Sequence, residues 1–231
     1  MVGVGLPSGL EPKSFELVWF DEFTDFDLSR DGRGEHKWFN GLWYSRPAPL
    51  DRFSISDGAL RLSTHQKQGA VITTLSPRVD GADTTFRHGY FEARLAMSAN
   101  SASWPAFWLF SKEHARGTDG RHWCEIDIFE LFANKYGGTI HDWNNGRNNQ
   151  NQNNLAAFPA GTDLSTWHTY GLLWEPGKVT WFFDKHPLMS AASPTVCDTQ
   201  NLFLILNAST RDPSIDQYLL VDWVAVHRLK P

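Results

Sequence analysis

The chain has 231 residues, 41% of them hydrophobic, with a formal net charge of −5 and a pI near 6.0. That is ample for a buried core, offers no general basic surface for nucleic acid, and includes no apolar stretch long enough to cross a bilayer. Cys124 and Cys197 allow one disulfide at most and exclude a disulfide framework; no CxxC or HExxH spacing points to zinc.

The first residues, MVGVGLPSGLEPKSF, lack the charged start and long apolar run of a secretory signal, and residues 1–15 read as an extended segment ahead of the first strand. FELVWFDEF opens a series of strand patterns. SRPAPLD (45–51) is a proline-stiffened loop, and in FSISDGALRLS the Asp57-Gly58 pair marks a tight hairpin. In GYFEARLAM, Phe91, Ala93, Leu95 and Met97 share one face, and Tyr90, Glu92, Arg94 and Ala96 the other. That alternation predicts a sheet packed on one side and wet, or functional, on the other. The amide-rich stretch WNNGRNNQNQNNL (143–155) reads as a solvated, mobile connection, with hydrogen bonding to sugar hydroxyls as a second reading. HTYGLLWEPGKVTWFFDKHPL follows as strand, Pro-Gly turn, strand, turn. LFLILNAS is a continuous apolar run that suits a central strand, and YLLVDWVAVHRL closes the chain.

Many strands at short spacing, without helices to cross over, predict two antiparallel sheets packed face to face, with a jelly roll as the topology. No linker splits the chain, so residues 1–231 read as one domain. The aromatic content is high: 11 Trp and 16 Phe. About half of these indoles suit the core, and flat aromatic faces in a groove are what sugar rings stack against.

The sharpest signal is CEIDIFE, residues 124–130. Glu125 and Asp127 are two apart, so an extended chain points them to one face, whereas Glu130 is out of phase and points into the core. Either an acid is buried at real cost, or a β-bulge at Ile128-Phe129 turns Glu130 back to join the others. A chance acidic surface strand does not fit, because Ile126, Ile128 and Phe129 give the segment a buried side. A metal site is weakened by the lack of a second acidic cluster to complete its shell. Paired carboxylates that hydrolyse a glycosidic bond fit best. Cys124 has no electropositive surroundings to lower its pKa, so both cysteines read as small buried residues rather than nucleophiles.

Glu125-Ile126-Asp127-Ile128-Phe129-Glu130 matches the ExDxxE signature of glycoside hydrolase family 16, the laminarinase, agarase, carrageenase and lichenase relatives. FRHGYFEARLAM, SWPAFWLFS, GTIHDW, WHTYGLLWEPGKVTWFFD and VDWVAV resemble the family's other recurring stretches, in the same order, over roughly residues 16 to 229. The resemblance implies an all-β, concanavalin A-like jelly roll with a cleft across its concave sheet. It also implies Glu125 as nucleophile, Glu130 as general acid/base and Asp127 as the acid between them. It puts Trp104, Trp108 and Trp123 at or beside the cleft as substrate-binding residues, with His141 in the same region. Core packing for Trp108 and a structural hydrogen bond for His141 are equally good readings. For Trp104, stacking on a sugar implies a role chiefly in affinity.

The implied activity is a retaining endo-β-glycosidase whose chemistry needs no cofactor, with a polysaccharide, first a β-1,3-type glucan, as substrate. An agarase-like, carrageenase-like or bacterial exopolysaccharide glycanase is the alternative, and a lectin-like binding module the non-enzymatic one. The extra residue between Asp127 and Glu130 argues against a dedicated lichenase. Arg46, Arg52, Arg87 and Arg121 are candidates for a local anionic subsite. The resemblance further suggests a structural calcium ion on the convex side, held through Glu22, Gly58 and Asp222. A plain salt bridge at Asp222 is the equal alternative. The expected setting is a secreted or periplasmic monomer with no nucleic-acid or membrane partner, a cytoplasmic one remaining open.

Overall fold

Paired left-handed residues cut this chain into hairpins. Asp57 and Gly58 (φ 53° and 74°) join the strand Phe53–Ser56 to Ala59–His65. Asp184 and Lys185 (φ 47° and 66°) join Lys178–Phe183 to His186–Ala192. Two-residue turns of this hand match the natural twist of the strands they connect.

The same rule overturns the reading of the amide-rich stretch as a mobile connection. Asn145 and Gly146 (φ 52° and 75°) form the turn between the strands Lys135–Asn144 and Arg147–Ala156. Arg147–Ala156 is the outermost strand of its sheet. A backbone ladder at an edge needs no apolar side chains, so polar composition did not prevent pairing.

The computed structural model describes the backbone of residues 4–118 and 121–230. Among these, two sheets face each other. One runs His186–Ala192, Lys178–Phe183, His168–Glu175, Gly89–Met97, Tyr218–Leu229, Ala59–His65, Phe53–Ser56, with Phe15–Asp21 also paired to Tyr218–Leu229. The other runs Arg147–Ala156, Lys135–Asn144, His122–Phe132, Ala106–Ser111, Leu202–Asn207, Val71–Thr73, Trp38–Asn40, Leu28–Ser29. LFLILNAS is therefore central, as its apolar run predicts. Two short helices, Lys112–Ala115 and Thr195–Thr199, sit between strands. No helix among the described residues is long and apolar enough to cross a membrane.

Phe91, Ala93, Leu95 and Met97 enter the main core between the sheets. Their alternates do not face water, contrary to expectation. Tyr90, Glu92 and Ala96 are fully buried and Arg94 is half-buried. The cover is the N-terminal segment, which is not extended. Leu6 and Leu10 pack on Phe15, Tyr90, Leu173 and Phe182, and a short 3-10 turn, Pro12–Ser14, leads into the first strand. Beneath this cover the Glu92 carboxylate accepts from Tyr90 Oη (2.7 Å) and from the Lys185 ammonium, which also donates to the Gly5 carbonyl. Burial pushes the Glu92 carboxyl up, and Lys185 and Tyr90 oppose that shift.

The registers bring the three residues suggested for calcium to one gap. Tyr218–Leu229 pairs with Ala59–His65 as far as Val221 and with Phe15–Asp21 from Val224 onward, with a bulge between Val221 and Trp223. The carboxylate among them is already paired, however. Asp222 Oδ2 already accepts from the Arg94 guanidinium, which itself lies 5.2 Å from the Trp167 ring, and Glu22 is exposed. The Asp222 carboxylate thus has a cationic partner without an ion, the salt-bridge alternative. The melting temperature is therefore expected to be the same in excess calcium and in excess chelator. A rise of several degrees with calcium would show that Arg94 gives way to the ion.

Candidate active site

The strand His122–Phe132 carries all three acids, and its bulge decides where they point. Asp127 pairs with Thr139 and Glu130 with Gly137, so Ile128 and Phe129 together oppose one residue, Gly138. Against the other neighbour, Asp127 pairs with Trp108 and Phe129 with Phe107, leaving Ile128 as the extra residue. Ile128 and Phe129 are both fully buried in the main core. Glu130 is thereby returned to the face of Glu125 and Asp127 and lines the same cleft. The bulge at Ile128-Phe129 is the outcome the phase argument anticipated.

A bulge breaks the ladder and strands backbone carbonyls in the core, where each unmet group costs about 1–3 kcal/mol. Here two aromatic side chains meet them. Trp181 Nε1 reaches across from the opposite sheet to Asp127 O at 2.8 Å, and Tyr136 Oη donates to Ile128 O at 2.7 Å. Gly138 leaves the room: a Cβ there would lie 2.5 Å from Met189 Cε and 2.6 Å from Trp181 Nε1.

Each acid has a named partner. Trp143 Nε1 donates to Glu125 Oε2 at 2.8 Å, and Trp104 Nε1 to Glu130 Oε1 at 2.9 Å. His141 Nε2 lies 3.1 Å from Asp127 Oδ2, and Asn148 Nδ2 lies 2.7 Å from His141 Nδ1. Trp104 is 38% exposed, with the Arg211 guanidinium 4.9 Å from its ring. It can still meet a sugar, but its grip on Glu130 means its role is not confined to affinity. Trp108 satisfies both of its readings: half-buried against the core, it lines the cleft and donates to Asn207 Oδ1 at 2.8 Å. Trp123 sits beside the cleft, stacked between His114 (3.8 Å) and Trp143 (6.1 Å).

The cleft encloses about 550 Å³ and crosses the strands. Glu125, Asp127, Glu130 and Trp104 line it together with Tyr44, Arg46, Pro47, Pro49 and Lys67. The proline-stiffened loop is thus a cleft wall. Of the four arginines suggested for an anionic subsite, Arg46 lines the cleft, whereas Arg52 and Arg87 line depressions elsewhere. Lys67, Trp143 and Asn148 were not singled out by sequence. Lys67 sits in a turn and Asn148 in the misread amide stretch. Trp143 lay in view two residues after His141, on the same strand face.

Three acids so close cannot all ionise. Burial, then the charge of Asp127, pushes the Glu125 carboxyl up to about 8, with His141 and the Trp143 hydrogen bond opposing. Burial, then the charge of Glu130, holds Asp127 well above the carboxylate range. The cluster therefore shares protons and titrates as a unit. A proton on Asp127 removes the like charge beside Glu125 and lets Glu125 ionise. Glu125, Asp127 and His141 also bring one ligand atom each within 4.8 Å of one another, a spacing a divalent ion could use. Those donors are already engaged by Trp143, by each other and by Asn148.

Next to Glu125, Cys124 forms a disulfide with Cys197 (S–S 2.02 Å), tying the catalytic strand to the helix Thr195–Thr199. Gln200 clasps the same strand, accepting from Cys124 N at 3.0 Å and donating to His122 O at 2.9 Å.

The model of glycosyl hydrolases family 16 matches residues 47–201. The chain belongs to this family. It is 29% identical over 174 residues to endo-1,3-1,4-beta-glycanase EglC of Rhizobium meliloti, covering 71% of this chain and 35% of that protein. To ExsH of the same organism, also an endo-1,3-1,4-beta-glycanase, it is 28% identical over 191 residues, covering 77% and 39%. This family member thus spans well under half the length of those two relatives. The laminarinase catalytic domain from Thermotoga maritima superposes with a TM-score of 0.76 at 18% identity, covering 94% of this chain and 100% of that one. The laminarinase from Rhodothermus marinus gives 0.72 at 21% identity, covering 94% and 98%. These superpositions confirm the jelly-roll sandwich.

Two outcomes follow from this geometry. Trp181→Phe removes the donor to Asp127 O and should cost about 1–3 kcal/mol in urea unfolding, with a fall in kcat as Glu130 loses its place; unchanged stability would mean the bulge does not depend on that bond. The raised Glu125 pKa has a definite sign. Between its ordinary value of 4.5 and about 8, the folded chain binds more protons than the unfolded one, so stability falls as pH rises. Glu125→Gln should therefore melt above the wild type at pH 8 and alike at pH 4, by calorimetry. Equal melting at pH 8 would contradict the raised pKa.

Proposed function

We propose that this protein is a retaining endo-β-glucanase that cuts internal linkages of a β-1,3-type glucan. The observation that carries the reading is the bulge, which gathers Glu130 with Glu125 and Asp127 on the floor of a cleft crossing several strands. A polymer lying across the strands presents an internal bond to both glutamates. Glu125 attacks the anomeric carbon as Glu130 protonates the departing glycosidic oxygen, giving a glycosyl ester on Glu125 and a free chain end. Glu130, now ionised, takes a proton from water, which attacks the same carbon and releases Glu125. Two inversions give net retention. Trp143 and Trp104 fix the two carboxylates, and Asp127 holds the shared proton beside Glu130. The relatives' names, endo-1,3-1,4-beta-glycanases, support the substrate class.

One observation favours a second reading of the substrate, a bacterial exopolysaccharide with acidic substituents. Arg46 and Lys67 line the cleft and hold no ion pair among the described residues. Two uncompensated cations on a substrate path favour an anionic chain. The disulfide beside Glu125 supports folding in an oxidising compartment, hence secretion or the periplasm, and the chain is proposed to act as a monomer.

Laminarin, lichenan and an acidic exopolysaccharide, assayed for new reducing ends, discriminate these readings. Proton NMR of the earliest products should show the β-anomer. Glu125→Gln should abolish turnover, and Glu130→Ala should retain cleavage of an activated aryl glycoside and recover with azide. An α-anomer would overturn the mechanism, and inactivity on every β-glucan would overturn the enzyme class.

A further inference from the structure

The edge strand brings a further residue to the acids. The turn at Asn145-Gly146 sets Asn144 opposite Arg147 and Trp143 opposite Asn148, and Asn149 is then an extra residue before Gln150 pairs with Asp142. Opposed residues share a face, so Asn148 stands on the side that carries His141 and Trp143, the face of Glu125. There Asn148 Nδ2 comes within 2.7 Å of His141 Nδ1, while the other nitrogen of that ring lies 3.1 Å from Asp127 Oδ2. The ring is further fixed by stacking on Trp143, with centroids 5.4 Å apart and planes at 17°.

An amide N–H can only donate, so its partner nitrogen must offer a lone pair. Nδ1 is then unprotonated, and the single imidazole proton sits on Nε2, facing Asp127. In this orientation Asn148 Oδ1 is buried with no hydrogen-bond partner among the described residues. Turned over, the amide would accept a proton from Nδ1 instead and favour a charged imidazolium.

We propose that Asn148 is a positioning residue that holds His141 as a neutral Nε2–H donor to Asp127. This rests on the reading of the acids given above and deepens it. With Oδ2 of Asp127 accepting from His141, a proton on Asp127 is confined to Oδ1 and stays within the acid cluster. A neutral ring adds no positive charge that would draw Asp127 into its ionised form and raise Glu125 by repulsion. The charged or titratable groups facing the ring are Asp127 and Glu125 from the catalytic strand, with Glu130 behind Asp127. Asp142, the neighbour of His141 on its own strand, pairs with His122 on the opposite face, at 2.6 Å.

Nitrogen-15 NMR of histidine-labelled protein, with His141 assigned through His141→Gln, tests this without reference to activity. The wild type should show a protonated Nε2 and an unprotonated Nδ1 from pH 6 to 8. A proton on Nδ1 in that range would overturn the proposal. Asn148→Ala should admit the Nδ1–H tautomer and lower kcat roughly tenfold, the loss of one positioning hydrogen bond, at little change in KM. Asn148→Asp should charge the ring and shift the acid limb of the kcat profile. If Asn148→Ala leaves tautomer, kcat and pH profile as in the wild type, the proposal fails even though the enzyme is active. If the wild type cuts no β-glucan, the functional reading fails while the tautomer result still stands or falls alone.

Discussion

The site depends on one local irregularity, the two residues Ile128 and Phe129 that sit opposite Gly138. They reverse the phase of the strand, which puts Glu130 in the cleft and two large side chains in the core. Broken pairing is tolerable only because Trp181 and Tyr136 meet the freed carbonyls, and because Gly138 has no side chain to exclude them. Trp181 belongs to the opposite sheet, so packing between the sheets and placement of Glu130 are one interaction. Substituting the core around Trp181 would be felt in catalysis, and lengthening Gly138 would be felt in both.

How much of this the sequence disclosed follows a physical division. Periodicity of two is a local property, so the phase clash of Glu130, the alternation in GYFEARLAM and the Asp57-Gly58 hairpin could be read from the chain. What covers a strand is not local. Glu92 looked like an outward acid, and only the return of residues 4–14 over that face makes it buried and paired with Lys185. The amide stretch failed for a different reason. Its composition points to a loop, but an edge ladder depends on turn geometry more than on apolar content, and Asn145-Gly146 supplies the turn. With that strand missed, Asn148 could not be placed beside His141.

The cysteines show the same limit from another side. Their count allowed a bond, but no rule of spacing brings residues 73 apart together. In the fold, the bond and Gln200 hold the backbone at Cys124 from two directions, immediately before Glu125. A strand whose middle is bulged gains from being clamped where it enters the site. Fixing the backbone there limits the freedom of Glu125 without adding any group to the cleft.

The abundance of tryptophan takes on a different meaning in this light. Sugar stacking was the functional reason to expect it, yet most of the described indoles that matter act as hydrogen-bond donors to oxygen. Trp104 holds Glu130, Trp143 holds Glu125, Trp181 holds the Asp127 carbonyl, and Trp38 and Trp174 hold Asp21 and Asp198. An indole offers one donor, no acceptor and no titration near neutral pH, on a large apolar body. It can therefore fix a carboxylate inside a core without bringing charge and without competing for a proton. A lysine or arginine in the same place would orient the acids equally well, but it would pull all of them toward the ionised form and empty the cluster of the proton that Glu130 must deliver. His141 is the titratable nitrogen base in contact with the cluster, and it is the residue whose far side meets an amide rather than a carboxylate. The site is thus oriented by neutral donors throughout, which leaves the proton count to the acids themselves.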